Sequence, residues 1–145
     1  MQVTVETELQ EGLTRYARAQ LPREACGLLG ARASLSTELR IYRFIPMTNR
    51  ATQSDEFWMD PIEIARAEAS FRGDGGRLAG TFHSHPGSPA APSRADLETE
   101  WPELVHLILA IDRHGQAGTL TAWQYKAHNR QQLPLRQVHR LYDAQ

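Results

Sequence analysis

The sequence predicts a mixed α/β (α+β) domain in which helices flank one central β-sheet. Three observations predict it. Apolar residues recur at helical spacing in two separate stretches, short apolar runs of strand length lie between and after them, and the two kinds of segment alternate along the chain as a helix-covered sheet requires. The 145 residues fit a single domain, 1–145, with enough chain to bury a core unaided by disulfides or a structural metal.

Between Glu6 and Gln20, Leu9, Leu13, Tyr16 and Ala17 fall on one helical face, and Pro22 marks the end of the run. Cys26 to Ala31 (CGLLGA) is short, apolar and Gly-rich, which suits a buried strand approached closely by another backbone. A further strand is expected from Thr37 to Ile45. Ile45 to Asp60 has no clear period and reads as a loop with a brief strand around Glu56 to Met59. Asp60 has the chemistry of an N-cap and Pro61 suits the first helical position; the helix carries Ile62, Ala65 and Ala69 along one face and ends at Gly73, in the turn GDGG.

Arg77 to Ser84 (RLAGTFHS) reads as a central strand that delivers two histidines at its C-terminal end. The segment PGSPAAP, stiffened by three prolines, leads to Ser93, which opens a short helix SRADLETE that ends at Pro102. Leu104 to Ile111 and Thr119 to Ala127 follow as strands joined through DRHGQAG. The tail from Pro134 suits an edge strand and a short helix equally. Neither an internal repeat nor an interdomain linker is visible.

Charge and cysteine content narrow the function. Sixteen basic against 17 acidic side chains leave no global field to draw the protein onto nucleic acid or an anionic membrane, so neither is expected as a partner. The longest apolar run, around LVHLILAI, is too short to span a bilayer, and a soluble, cytoplasmic protein is expected. Cys26 is the only cysteine, which excludes an intramolecular disulfide and any multi-cysteine zinc site. A bound metal would have to be held by histidines and carboxylates.

His83 and His85 stand two apart on a strand, so their side chains point to one face and can share a ligand. Two imidazoles and one carboxylate leave a zinc ion a fourth position for water, the arrangement a hydrolytic site needs. Asp96, eleven residues beyond His85, supplies a carboxylate close enough to fold back on the strand end. Taken singly, each residue has an ordinary explanation. Histidines commonly sit at sheet margins, and Ser93 with Asp96 forms the S-x-x-D pattern of a helix cap. The joint pattern His-x-His-Pro, then Pro-Ser-x-x-Asp, is what raises the metal reading above these. Cys26 as a nucleophile with a histidine base is disfavoured, since a lone cysteine in an apolar strand behaves as a small hydrophobe. Ser84, on the opposite strand face from the histidines, is expected to pack or hydrogen-bond; His106, His114, His128 and His139 are expected to be structural or solvated.

The string HSHPGSPAAPSRAD at 83–96 closely resembles the signature of the JAMM (MPN+) metallopeptidase family, and PREACGLLG at 22–30 is similar to that family's upstream glutamate followed by a hydrophobic strand. The resemblance runs from about residue 5 to residue 127. It implies a cytidine-deaminase-like fold and one Zn2+ per chain held by His83, His85 and Asp96. It further implies Glu24 as general base and, with the metal, Ser93 as oxyanion stabiliser. The chain has little room between Ile45 and His83 for long insertions, so it is most similar to the short prokaryotic members. The substrate implied is an amide or isopeptide bond after the C-terminal Gly-Gly of a ubiquitin-like or sulfur-carrier protein, with Asn49 to Trp58 and Gly87 to Ala91 flanking the site. The runner-up is a zinc-binding MPN scaffold that mediates protein–protein interaction without catalysis; a deaminase of the related fold is disfavoured by the single cysteine. A homodimer is left open.

Overall fold

A computed structural model describes residues 1–32, 36–94, 96, 101, 103–126 and 129–140. Strand β1 (Gln2–Glu6) runs directly into helix α1 (Thr7–Gln20), followed by β2 (Cys26–Ala31), β3 (Glu38–Met47), α2 (Pro61–Gly73), β4 (Arg77–Pro86), β5 (Val105–Ile111), β6 (Ala117–Lys126), β7 (Asn129–Leu133) and β8 (Leu135–Val138). The strands form one mixed sheet in the order β7-β6-β5-β4-β2-β3-β1-β8. Pairings β1–β3, β1–β8 and β4–β5 are parallel and the others antiparallel.

The two edges of this sheet meet. β7 and β8 occupy opposite ends of the strand order yet are separated in sequence only by Pro134, and two peptide links span at most about 7 Å. The sheet must therefore curl until Leu133 and Leu135 are neighbours. Its inner face closes on α1. One core gathers Val3, Val5, Leu29, Ile41, Phe82, Leu107, Leu109, Ala122 and Leu133 around Leu13 and Ala17, with Leu9 and Tyr16 packed at its margin. α2 covers the other face through Ala67 and Phe71, against Cys26, Leu28, Met47 and Met59.

Several expectations are revised by these packing contacts. On α2 the stripe Ile62, Ala65, Ala69 is exposed, with Ile62 at 63% of its full accessibility; the buried face is Ala67 and Phe71, with Ile64 beside them. The N-terminal cap of α2 is as read, with Asp60 accepting from the Ile62 N–H at 2.9 Å and Pro61 in the first turn. The segment 48–60 contains no strand, and Glu56 to Met59 are irregular. The tail adds strands at both edges, and β1, not foreseen, lies between β3 and β8. The expected helix from Ser93 and its end at Pro102 fall largely outside the described residues, as does the last residue expected of β6, Ala127. Among the described residues, no helix is long and apolar enough to cross a membrane.

The strand pair that carries the histidines is tightly spaced. Gly80 of β4 faces Val105 of β5, and a Cβ added there would lie 2.5 Å from the Val105 carbonyl oxygen. A backbone atom inside a parallel ladder cannot step aside cheaply. Gly80→Ala should therefore lower stability by about 1–3 kcal/mol, read as a reduced urea midpoint. Gly73→Ala, where nothing lies within 4 Å, should leave the midpoint nearly unchanged.

Candidate metal centre

Alternation along β4 sorts its side chains between the two faces of the sheet. Phe82 enters the core around α1, whereas Thr81, His83 and His85 point to the other face. His83 sits between Cys26 of β2 and Ile108 of β5 and is 1% exposed. Its imidazole stacks on Phe57 with ring centroids 4.6 Å apart. Ser84, as expected, makes hydrogen bonds: its hydroxyl accepts from the Ala25 N–H at 2.8 Å and its own N–H donates to the Ala25 carbonyl at 3.0 Å. That double link ties the residue after Glu24 to the centre of the histidine strand.

A hub that sequence reasoning missed completes the placement of Glu24. The Asn49 amide donates to the carbonyls of Glu24 at 3.0 Å and Glu56 at 2.8 Å, and its side-chain oxygen accepts from the N–H groups of Ala51 and Trp58. The Arg23 guanidinium donates to the Asn49 and Ala51 carbonyls. Irregular backbone between β3 and α2 is thereby fastened to Glu24. An asparagine in a loop of no clear period offered no signal from which this could be read.

Three acceptor atoms converge at the end of β4. His83 Nε2 and His85 Nε2 lie 3.0 Å apart, and Asp96 Oδ2 is 3.2 Å from each. Neutral imidazole lone pairs and a carboxylate oxygen cannot satisfy one another; they need a shared cation or proton at their centre. Ligands bound at 2.0–2.1 Å around tetrahedral zinc lie about 3.3 Å from one another, close to the spacing here. His85 Nδ1 donates to the Pro89 carbonyl at 2.8 Å, which leaves its Nε2 lone pair facing the centre, the arrangement that outer partners impose on metal-binding histidines. His83 Nδ1 is buried without a partner among the described residues, so the ring is held by its stacking on Phe57. Asp96 Oδ2 also accepts from the Ser93 N–H at 2.8 Å, while the Asp96 N–H donates to Ser93 Oγ at 3.2 Å. The capping pattern and the converging carboxylate are the same pair of residues.

Glu24 stands beside this triangle, its carboxylate and the two histidine nitrogens all within 4.8 Å of one another. The Glu–His–His group is placed to bind a metal, and Asp96 Oδ2 lies nearer both nitrogens than that limit. Burial pushes the Glu24 carboxyl up to about 7; His85 opposes the shift, and Asp96, Asp55 and Glu56 add to it. Burial alone would also raise Asp96, but hydrogen bonds from His83, His85 and the Ser93 N–H together hold its carboxyl far below the usual range. Burial lowers His83. Burial would lower His85 as well, yet the adjacent Asp96 carboxylate and the Pro89 carbonyl raise it.

The site opens on two cavities. The larger, about 530 Å³, is walled by Phe57, Trp58, Met59, Ile64 and Trp101 and reaches His83 and Asp96. Its floor contains His106, whose Nδ1 accepts from the Thr81 hydroxyl at 2.6 Å and whose ring stacks on Tyr125. Burial lowers His106 to about 4, so it is a neutral structural residue. The smaller cavity, about 330 Å³, borders Glu24, Ser54, Asp55, Ser88 and Arg113. Segments 49–58 and 87–91 thus both contribute walls. Cys26 is fully buried beside His83 and burial pushes its thiol up to about 12, which removes it as a nucleophile.

A curled mixed sheet that gathers two histidines, an aspartate and a buried glutamate at one strand end is a JAB-like domain, and the relatives it matches are hydrolases. The chain belongs to the prokaryotic homologs of the JAB domain, whose pattern it matches over residues 6–126. It is 31% identical over 109 residues to a desampylase of Pyrococcus furiosus, covering 74% of this chain and 70% of that protein. It is 28% identical over 111 residues to the CysO-cysteine peptidase of Mycobacterium tuberculosis, covering 77% and 74%. It is also 31% identical over 96 residues to a probable TtuB-protein conjugate cleaving protease of Thermus thermophilus, covering 62% and 61%. Among solved structures, a Desulfitobacterium hafniense protein superposes with a TM-score of 0.86 at 30% identity, covering 97% of this chain and 96% of that one.

Proposed function

We propose that this chain is a zinc-dependent peptidase that hydrolyses the amide or isopeptide bond after the C-terminal Gly-Gly of a ubiquitin-like or sulfur-carrier protein. One observation carries the reading: three acceptor atoms 3.0–3.2 Å apart, with a buried carboxylate beside them. His83, His85 and Asp96 would hold one zinc ion. When bound, zinc lowers the pKa of water from about 15.7 to roughly 7 and polarises a carbonyl oxygen. Glu24 takes the proton from the attacking water and delivers it to the leaving nitrogen, the work of a carboxylate whose pKa burial has moved toward neutrality. The Ser93 hydroxyl accepts from Asp96 N–H and keeps its own proton, which it donates to the oxygen of the scissile carbonyl.

The names of the relatives support the substrate class: a desampylase, a probable TtuB-protein conjugate cleaving protease and a CysO-cysteine peptidase. A diglycine tail has no side chains to accommodate, which suits a cleft walled by Phe57, Trp58 and Trp101 beside His83 and Asp96. All converging groups come from one chain, so the homodimer left open by the sequence gains no support. The scaffold alternative has no use for a buried glutamate beside the histidines, its backbone carbonyl fastened by Asn49 and the next residue, Ala25, by Ser84.

The test is hydrolysis of a carrier protein extended beyond its Gly-Gly terminus, followed by mass spectrometry. Chelator-treated protein should lose turnover, and one molar equivalent of zinc should restore it, with the product ending in Gly-Gly. Turnover that survives chelation, or cleavage elsewhere in the carrier, would sink the reading.

A further inference from the structure

We infer that Arg113 binds the free α-carboxylate of a single amino acid leaving from the acyl-Gly-Gly substrate, so that peptide-linked residues are preferred over isopeptide-linked proteins. This rests on the peptidase reading and deepens it. The side of the site that receives the leaving group follows from proton transfer: the residue that protonates the leaving nitrogen must reach it within hydrogen-bond distance. Glu24 lines the smaller cavity of about 330 Å³ and is absent from the lining of the larger, aromatic one. The smaller cavity is therefore where the leaving group sits, and its volume is at the low end of the ~300–1,000 Å³ typical of small-molecule sites.

In an α-linked amino acid the carboxylate carbon is two bonds from the scissile nitrogen, so an anion must come close to Glu24. Glu24 and Asp55, both acidic, line that cavity, and an anion entering it needs a compensating cation. Among the described residues, Arg113 is the single cationic side chain lining either cavity. Its guanidinium makes no hydrogen bond or ion pair with any described residue, which leaves its planar fork free for a carboxylate. An isopeptide leaving group places four methylenes between the lysine nitrogen and its Cα, and so offers no anion there.

The turn that presents Arg113 is built rather than loose. The Gly87 N–H donates to the Ile111 carbonyl at 2.7 Å, fastening the end of β4 to the end of β5. The Asp112 carboxylate accepts from the His114 and Gln116 N–H groups, each at 2.9 Å. The Arg18 side chain from α1 donates to the Gly115 carbonyl at 2.8 Å. Two glycines with positive φ complete it. Gly87 has φ +75° and Gly115 φ +91°, and a Cβ on Gly87 would stand 3.1 Å from Arg113 Nε. A side chain at 87 would thus crowd the guanidinium.

The experiment uses three synthetic probes with zinc-loaded protein: a peptide ending in Gly-Gly-Ala with a free carboxylate, the same peptide as its C-terminal carboxamide, and Gly-Gly joined to a lysine Nε. Wild type should favour the free acid over the carboxamide in kcat/KM by roughly ten- to a hundredfold, the worth of a charge-assisted pair. Arg113→Ala should collapse that ratio toward one, mainly through KM, and Arg113→Lys should restore part of it. Calorimetric binding to Glu24→Gln protein should show the same preference, lost in Glu24→Gln/Arg113→Ala. Equal handling of acid and amide by wild type, or a proportional loss on both in Arg113→Ala, overturns the assignment. If only the isopeptide is cut, Arg113 has no such role and the peptidase reading stands. If none of the three is cut, the peptidase reading fails and the assignment falls with it.

Discussion

A Glu24→Gln variant is expected to fold, to bind zinc at the wild-type stoichiometry and to lose turnover by roughly 10²–10⁴-fold, the usual worth of a positioned general acid–base. Three features make the substitution clean. The backbone at this residue is held by Asn49 to the Glu24 carbonyl, by the Glu24 N–H to the Ser54 carbonyl at 3.3 Å, and by Ser84 at Ala25, and none of these bonds uses the carboxyl. The three converging acceptor atoms belong to other residues. Glutamine matches the shape of glutamate but cannot accept and return a proton. Turnover on the extended carrier, with zinc content by elemental analysis, decides the matter, and a variant that keeps activity within a few-fold of wild type would remove Glu24 from the chemistry.

The same carboxyl makes a prediction for the metal-free protein. Its folded pKa is raised, from 4.5 to about 7, so the folded chain holds a proton that the unfolded chain has released across that window. Stability contributed by the protonated form is present below about pH 4.5 and is lost as pH rises to about 7. Metal-free wild type should therefore lose stability relative to Glu24→Gln over that range, as read from paired urea titrations; parallel pH profiles would contradict the assigned burial effect.

What could be read from the chain, and what could not, divides along physical lines. β2 was legible because six consecutive apolar or small residues, bounded by a charged stretch and a polar loop, have no other comfortable conformation. β4 was legible at its start, although it runs on to Pro86, two residues past the expected end. The buried face of α2 was not, because Ile62, Ile64, Ala65, Ala67 and Ala69 place apolar groups on both sides of the helix, and only the position of Leu28 and Met47 selects Ala67 and Phe71. β7 reads NRQQL with four exposed residues, and its strand conformation comes from pairing with β6 rather than from any pattern of its own. β1 does alternate, Val3 and Val5 inward, but it is five residues long and continues without a break into α1. At the site, the histidine pair and the S-x-x-D pattern announced themselves. Asn49 and Arg113 lie in turns and loops whose shape depends on contacts far away in the chain.

Removal of single ligands should have the second large effect. Purified wild type is expected to carry about one zinc per chain, and His83→Ala and Asp96→Ala should each lower zinc affinity more than 100-fold, since outer partners alone are worth 10–100-fold. The two variants differ in what else they remove. His83 is fully buried and stacked on Phe57, so its loss opens a cavity and costs stability even without metal. Asp96 also accepts the Ser93 N–H, so Asp96→Ala removes a cap together with a ligand. Asp96→Asn separates these: an amide oxygen still accepts from Ser93, yet brings no charge to the centre. Zinc should raise the melting temperature of wild type, because it binds the folded state alone, and should do so far less for all three variants. Loss of zinc in Asp96→Asn with the metal-free melting temperature retained would make Asp96 a ligand first and a cap second. Zinc retained in Asp96→Asn and Asp96→Ala would leave Glu24 as the third ligand, in which case the proton carrier lies elsewhere. If wild type itself took up no zinc, the three acceptors would be sharing a proton, and Ser93 and Asp96 would be a capping pair beside two histidines.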